Sequence, residues 1–198
     1  LDSIQNRFEV YRTLKDSLQR RAYYQQIDSL SQLAAKYFIP NEYDKLMSSI
    51  GAEGTNAYTS NDVTCYVEDI PANELENWAK IESDRFQNMV IRGFHTELEA
   101  VYEEYNISLG NDNRKLFAAL NAMLFPGHPY GTQTTIGTQE HLKNPSIVNI
   151  KNYFSRYYVP NNTAICMAGD FDPDKAIAII DKYFGTWKPN PNLSQPEY

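Results

Sequence analysis

The chain opens with two stretches in which apolar residues recur every three or four positions, the spacing of one helix face. The apolar positions of the first stretch are Ile4, Phe8, Tyr11, Leu14 and Leu18. Those of the second are Ile27, Leu30, Leu33, Ala34 and Tyr37. The polar stretch 15–21 between them predicts a turn, so residues 1–38 are expected to form a helical hairpin.

The period changes to strand-like alternation beyond Gly51. Val63, Cys65 and Val67 alternate with more polar residues, which predicts a half-buried strand. Residues 55–60 are predicted to be its hairpin partner, and the apolar residues 163–168 predict a further short strand.

Helical spacing occupies most of the remaining chain. A short helix from Asn41 to Ile50 is predicted to end at Gly51. Thr96 and Glu99 have the spacing of a capping box at the start of another helix. Further helices are predicted over residues 75–86, 114–125, 145–157 and 174–184, the last introduced by Asp172-Pro173. The fold class expected from these elements is α+β, an antiparallel β-sheet with helices packed mainly on one face.

Composition excludes several classes of protein. The 198 residues carry 18 Lys and Arg against 25 Asp and Glu, a net charge of −7, which disfavours a nucleic-acid partner. No apolar run approaches the ~20 residues of a membrane span. Cys65 and Cys166 are too few for a disulfide framework or a cysteine zinc site. They are predicted to be buried free thiols, with a single bridge between them as the alternative.

Glu97 and Glu104 form the pattern with the most chemical interest. They are seven residues apart on a predicted helix, so their carboxylates share one side, two turns apart. Val101 lies on the same stripe, and a partly buried carboxylate there would need a metal or a charged partner. The same spacing is also typical of a solvated acidic helix face, and spacing alone does not separate the two interpretations.

A second candidate is the stretch Gly54 to Thr59. If it forms the edge of a sheet, its free backbone groups can pair with an extended peptide. An ordinary outer strand is the alternative.

Taken in order, four stretches resemble the pitrilysin/insulinase family of zinc metallopeptidases. They are Gly54-Thr-Asn-Ala-Tyr-Thr-Ser60 leading to Thr64-Cys-Tyr-Val67, the Glu97 to Glu104 segment, His128-Pro-Tyr-Gly131 with Gly137 and Leu142, and Tyr157-Tyr-Val-Pro-Asn-Asn162 leading to Ala168-Gly-Asp170 and Phe184-Gly185. The resemblance spans residues 39–185. Residues 1–38 resemble a hairpin inserted in large multi-domain bacterial members.

The resemblance implies roles for individual residues. Glu104 matches the third zinc ligand of the family, and Glu97 matches a glutamate that helps to orient the zinc site. The strand that pairs with the substrate backbone in the family is matched by Asn56, Ala57, Tyr58 and Thr59. The implied parent is a zinc-dependent endopeptidase acting on peptides or unfolded chains, with zinc as its cofactor and further domains of the same polypeptide as partners.

One family motif is missing from these residues. The inverted zinc motif His-x-x-Glu-His, which supplies two ligands and the general base, occurs nowhere in the 198 residues. We therefore expect a fragment of the N-terminal peptidase domain that binds no zinc tightly and is inactive alone. The alternative is a non-catalytic homologue that serves assembly or holds peptides.

The expected organisation has three parts. Residues 1–38 form the inserted hairpin, 39–187 the truncated peptidase-like domain and 188–198, rich in Pro and Asn, a linker to a following domain. Because the chain begins within a helical pattern and without Met, we expect it to be part of a longer polypeptide. An exposed sheet edge would permit a homodimer, and the resemblance to exported bacterial members implies a periplasmic location.

Overall fold

The computed structural model describes residues 1–194, which form an α+β fold, as predicted. There are two short 3₁₀ turns in this range, Ala72–Glu74 and Pro160–Asn162. The main elements in chain order are α1 (Asp2–Tyr11), α2 (Ser17–Ala35), α3 (Glu42–Ser49), β1 (Glu53–Thr59), β2 (Thr64–Asp69), α4 (Leu75–Gln87), α5 (Phe94–Ser108), α6 (Asp112–Leu124), α7 (Pro129–Thr132), α8 (Gln139–Lys143), α9 (Ile147–Tyr157) and α10 (Pro173–Phe184).

The two strands form an antiparallel hairpin, as predicted. Asn56 lies opposite Val67 and Thr59 opposite Thr64, and the turn is closed by a 2.8 Å hydrogen bond from the amide of Ser60 to the carbonyl of Val63. The register is irregular between Glu53 and Asn56, where Gly54 has a φ of +62°. A glycine tolerates this conformation without a steric penalty and is typical of a β-bulge.

The helices cover the face of β2 that carries Tyr66 and Glu68. The ring of Tyr66 meets Phe86 of α4 edge-on at 5.4 Å, and Glu68 accepts a hydrogen bond of 2.5 Å from the indole nitrogen of Trp78. Val63 and Val67 are instead 55% and 39% exposed. The alternation therefore indicated a strand correctly, but the apolar residues lie on its more open face, because aromatic rings and an ion pair fill the space against α4.

The N-terminal residues form the predicted helical hairpin, which packs on α5 and α9. Four buried residues form the main core, Ile4, Phe8, Ile27 and Ile147. The carboxylate of Glu9 also accepts a 2.7 Å hydrogen bond from the hydroxyl of Ser146, the N-cap of α9. Apolar contacts and polar contacts thus both tie the hairpin to the rest of the chain.

The turn of this hairpin lies earlier than predicted. It occupies residues 12–16 instead of 15–21, because the Asp16 side chain accepts a 2.8 Å hydrogen bond from the amide of Gln19 and caps α2. Leu18 consequently belongs to α2 and is 76% exposed, so its predicted place on the buried face of α1 is wrong.

The start of α5 also differs from the prediction. The N-cap is Gly93, with a φ of +65°, so Thr96 lies inside the helix and the predicted Thr96–Glu99 capping box does not form. Glu99 instead accepts a 2.6 Å hydrogen bond from the hydroxyl of Tyr24 on α2. Glu99 therefore makes a tertiary contact in place of the local cap that the sequence pattern predicted.

Two further predictions are wrong. Residues 163–168 have no strand, since no neighbouring strand in the described residues pairs with them. The cysteines are free, but neither is buried, because Cys65 lies on the open side of β2 and is half-buried and Cys166 is exposed.

The C-terminal helix follows the prediction closely. Asp172 caps α10 through hydrogen bonds from the amides of Asp174 and Lys175, Pro173 is its first residue, and Gly185 follows its end. In the predicted linker, Asn190 hydrogen-bonds Asn161 and Arg156, and residues 195–198 lie outside the described residues. The three-part division of the chain at residues 38 and 187 stays a prediction.

Candidate functional site

The two glutamates of interest lie on α5 and are both exposed to solvent. Within residues 1–194, neither the Glu97 nor the Glu104 carboxylate has a hydrogen bond or an ion pair. Val101, between them, is half-buried. The helix thus presents two unpaired carboxylates on one side. This arrangement is compatible both with part of a metal site and with an ordinary solvated helix face.

Other side chains of α5 attach the helix to the rest of the molecule. His95 is buried against the N-terminal helical hairpin, and Glu99 accepts a hydrogen bond from the hydroxyl of Tyr24. Near the middle, the hydroxyl of Tyr102 accepts a 3.0 Å hydrogen bond from the side-chain amide of Gln139, the first residue of α8, and Lys143 lies over the same ring. These contacts fix the direction in which Glu97 and Glu104 project.

Within residues 1–194, the candidate ligands do not converge on one point. No group of three or more His, Cys, Asp or Glu side chains in residues 1–194 is arranged to hold a metal ion. His95 is buried beside Glu99, and His128 caps α7 by accepting a 3.2 Å hydrogen bond from the amide of Tyr130. Since zinc sites in enzymes use three protein ligands, Glu104 can supply at most one of them here.

The candidate peptide-binding strand is open to solvent. Asn56, Ala57, Tyr58 and Thr59 are all exposed, and within residues 1–194 β1 has β2 as its single strand partner. The amide of Ala57 donates a 2.8 Å hydrogen bond to Oδ1 of Asn56. A strand that paired with this amide would therefore displace the Asn56 side chain.

The tip of the β-hairpin is joined to the loop that follows α6. The hydroxyl of Tyr130 donates a 2.6 Å hydrogen bond to the carboxylate of Asp62 in the β1–β2 turn. This bond to a carboxylate raises the pKa of Tyr130. The structure thereby links two of the stretches that carried the family resemblance, although 68 residues separate them.

Comparisons with known proteins agree with this resemblance. The model of the Peptidase M16 inactive domain matches residues 147–198. An uncharacterized zinc protease of Mycobacterium leprae is 26% identical over 71% of this chain and 32% of its own length. The zinc protease PqqE of Helicobacter pylori is 24% identical over 86% of this chain and 40% of its own length. The chain is thus similar to zinc proteases over most of its length, and its last quarter matches an M16 peptidase domain.

A solved protease structure has a similar fold. The first half of the periplasmic protease PqqL from Escherichia coli superimposes with a TM-score of 0.71 at 21% identity, over 79% of this chain and 35% of that one. This likeness shows the fold. The chain spans well under half the length of the two relatives, which are described as zinc proteases.

The stretches that carried the family resemblance gave no indication of a buried charge cluster beside the sheet. Glu68, Glu82 and Arg85 meet there, with side chains 8%, 4% and 31% exposed. Nη1 of Arg85 is 3.1 Å from Glu82 and 3.8 Å from Glu68. The i, i+3 spacing of Glu82 and Arg85 was visible in the sequence, but such pairs are common on exposed helix faces, so it did not predict burial.

Aromatic side chains enclose this cluster. The Arg85 guanidinium lies 4.1 Å from the centre of the Tyr43 ring and 4.5 Å from that of Tyr66. Tyr43 also donates a hydrogen bond to Glu68. The cluster therefore connects α3, β2 and α4 behind the candidate peptide-binding strand.

No helix among the described residues is both long enough and apolar enough to cross a bilayer.

Proposed function

We propose that this chain is part of a zinc-dependent metalloendopeptidase that hydrolyses peptide bonds in peptides or unfolded chains. It contributes Glu104 as one zinc ligand, Glu97 as a residue that positions the ligand set, and residues 56–59 of β1 as the strand on which substrate docks. The observation that carries the proposal is the pair of unpaired, exposed carboxylates on one side of an anchored helix. The zinc-protease relatives and the open strand edge support it.

Alone, the chain is expected to be inactive and free of tightly bound zinc. A single carboxylate gives little affinity, because tight zinc binding requires several converging ligands. Isothermal titration of the chain with zinc chloride should show no submicromolar site, and a fluorogenic peptide should not be cleaved. A one-to-one submicromolar zinc site would contradict this expectation.

The glutamate roles are tested in the full-length gene product, purified with its metal. Glu104→Gln should lower the zinc content and reduce kcat/KM by at least about 100-fold, because it removes a ligand. Glu97→Gln should reduce metal affinity or activity by about 10- to 100-fold, as loss of an orienting partner does. The measurements are zinc per polypeptide by atomic emission and peptide hydrolysis.

Glu103→Gln is the matched control. Glu103 is exposed on the same helix, one residue from Glu104 and therefore turned about 100° away. It should keep full activity and full zinc content. If Glu103→Gln and Glu104→Gln behave alike, the assignment of the ligand is wrong.

A non-catalytic protein that holds peptides or serves assembly is the second candidate function. It is favoured by one finding, that the matching family model is that of the M16 inactive domain. In that case the full-length product should bind a peptide and Glu104→Gln should leave the binding unchanged. Substitution of β1 residues should weaken it.

We further propose that the protein acts in the periplasm and that its partners are peptide substrates and the remaining domains of its own polypeptide. The periplasmic M16 protease to which the fold is similar supports the location. The free edge of β1 also permits a homodimer. The net charge of −7 disfavours a nucleic-acid partner.

A further inference from the structure

The helix α6 presents an apolar face that is open to solvent within residues 1–194. Its large apolar side chains are between 43% and 80% exposed, and they are Leu116, Phe117, Leu120, Met123 and Leu124. Because successive residues of a helix are turned by about 100°, these side chains all fall within an arc of about 120°. Single apolar residues on a surface are ordinary, whereas a contiguous apolar patch marks an interaction site.

Charged residues are confined to one end of α6. They are Asp112, Arg114 and Lys115, which lie in its first turn and outside the apolar arc. Within the arc, the one polar residue of α6 is Asn113. An exposed helix of a globular protein has polar residues on its outer face, so the face of α6 has the character of a buried one.

Contacts beyond its C-terminal end hold α6 in a fixed place. Gly131 packs so closely there that a Cβ atom on it would lie 2.3 Å from the carbonyl oxygen of Phe125. The ring of Phe125 meets that of Tyr130 edge-on at 5.5 Å, and the hydroxyl of Tyr130 donates to Asp62 of the β1–β2 turn. The helix is therefore anchored beside the β-hairpin while its apolar face points away from the described fold.

The spacing of the exposed side chains indicates what kind of element fits this face. Phe117, Leu120 and Leu124 are separated by three and four residues. This is the spacing of the seam between two helices that pack side by side. The matching occupant is therefore an amphipathic helix that turns its own apolar side chains toward α6.

The lengths of the relatives favour one source for such a helix. The matched part is 32% of the Mycobacterium leprae protease and 40% of the Helicobacter pylori protease, so more than half of each relative lies outside it. A second copy of this chain is less suitable, because each copy has a net charge of −7 and two copies repel one another. A segment of the same polypeptide can supply the helix without that repulsion between copies.

We propose that the apolar face of α6 is the surface on which an amphipathic helix from the remaining part of the same polypeptide docks. The inference rests on the proposed place of this chain in a longer polypeptide, but not on zinc binding or peptidase activity. It assigns to Leu116, Phe117, Leu120, Met123 and Leu124 the role of an interface between domains.

Oxidation of Met123 tests the proposal. The 198-residue chain and the full-length gene product are treated with dilute hydrogen peroxide, and methionine sulfoxide is measured by mass spectrometry of the peptides. Met123 is 80% exposed, so it should be oxidised rapidly in the chain. In the full-length product its oxidation should be at least about tenfold slower, because the docked helix excludes the oxidant. Met47 is 1% exposed and should react slowly in both proteins.

A charge at the centre of the face should release the docked helix. Leu120→Asp in the full-length product should raise the oxidation rate of Met123 to that of the chain, because the new carboxylate would be buried unpaired. Ile177→Asp makes a matched change at a residue of α10 that is 64% exposed, and it should leave Met123 protected. Circular dichroism of the 198-residue chain carrying Leu120→Asp should show the unaltered helix content, since Leu120 is exposed there.

Three results overturn the proposal. One is equal oxidation of Met123 in the chain and in a longer gene product, and another is continued protection of Met123 in Leu120→Asp. The third is a concentration-dependent dimer of the chain, seen by sedimentation, in which Met123 is protected, because it would assign the face to a second copy. None of these readouts uses zinc or peptide hydrolysis, so they are independent of the roles proposed for Glu97 and Glu104.

Discussion

Arg85→Met is expected to lower the free energy of unfolding of this chain by about 3 kcal/mol. The guanidinium compensates two carboxylates, Glu68 and Glu82, which are 8% and 4% exposed. Removing one partner of a buried ion pair costs about 3–5 kcal/mol, and the lower end applies because Arg85 is itself 31% exposed. Urea unfolding followed by tryptophan fluorescence measures the change.

Arg92→Met is the control for this prediction. Arg92 pairs with Glu42 at 3.0 Å, but both side chains are nearly half exposed, so the pair should contribute less than about 1 kcal/mol. Equal losses of unfolding free energy in Arg85→Met and Arg92→Met would show that burial of the Arg85 cluster has no energetic consequence.

The same cluster predicts how the deficit of Arg85→Met, its loss of unfolding free energy, depends on pH. Burial raises the pKa of Glu82, and the charge of Arg85 partly offsets that rise. A raised pKa means that the folded state binds a proton more readily than the unfolded state. The free-energy cost of keeping Glu82 ionised in the folded protein therefore disappears as the pH falls through the folded-state pKa of Glu82. The deficit should therefore be smaller at about pH 5.5 than at pH 7, and a deficit that grows on acidification would contradict the prediction.

Phe8→Ala should destabilise the chain by about 3–5 kcal/mol, the usual cost of emptying a buried aromatic position. Phe8 is 1% exposed in the main core and meets the ring of Phe94 edge-on at 5.4 Å. The cavity left behind lies where the hairpin contacts α5, so the variant weakens the attachment of residues 1–38. The thermal midpoint and urea unfolding report the loss.

The matched control is Phe117→Ala on α6. Phe117 has the same helical spacing of apolar neighbours in the sequence but is 61% exposed. Its truncation should change the stability of this chain by no more than about 0.5 kcal/mol. A large loss at Phe117 together with a small loss at Phe8 would mean that the core has been placed on the wrong helix.

Phe8 and Phe117 show why helix patterns predict elements better than they predict burial. Both lie on apolar stripes, and both stripes form helices as expected. The stripe of α1 meets α2 and α9, whereas that of α6 faces solvent within the described residues. The pattern gives the direction of an apolar face but not what covers it.

The candidate site was likewise only partly predictable from the sequence. The spacing of Glu97 and Glu104 and the position of residues 56–59 were available from the sequence, and the family resemblance gave them roles that stay predictions. The sequence did not indicate that Glu99 would bind Tyr24 or that His95 would be buried between two carboxylates. Those outcomes depend on residues far apart in the chain.

By itself, the sequence determined the features that depend on neighbours within a few residues. Asp172-Pro173 starts α10 and Gly185 follows its end, because caps and backbone preferences act within one helical turn. The tertiary structure decided which face of β2 is covered and which charges are buried. Ser146 and Glu9, 137 residues apart, meet only after the chain has folded. Burial and pairing are properties of such distant contacts, and a local pattern contains no information about them.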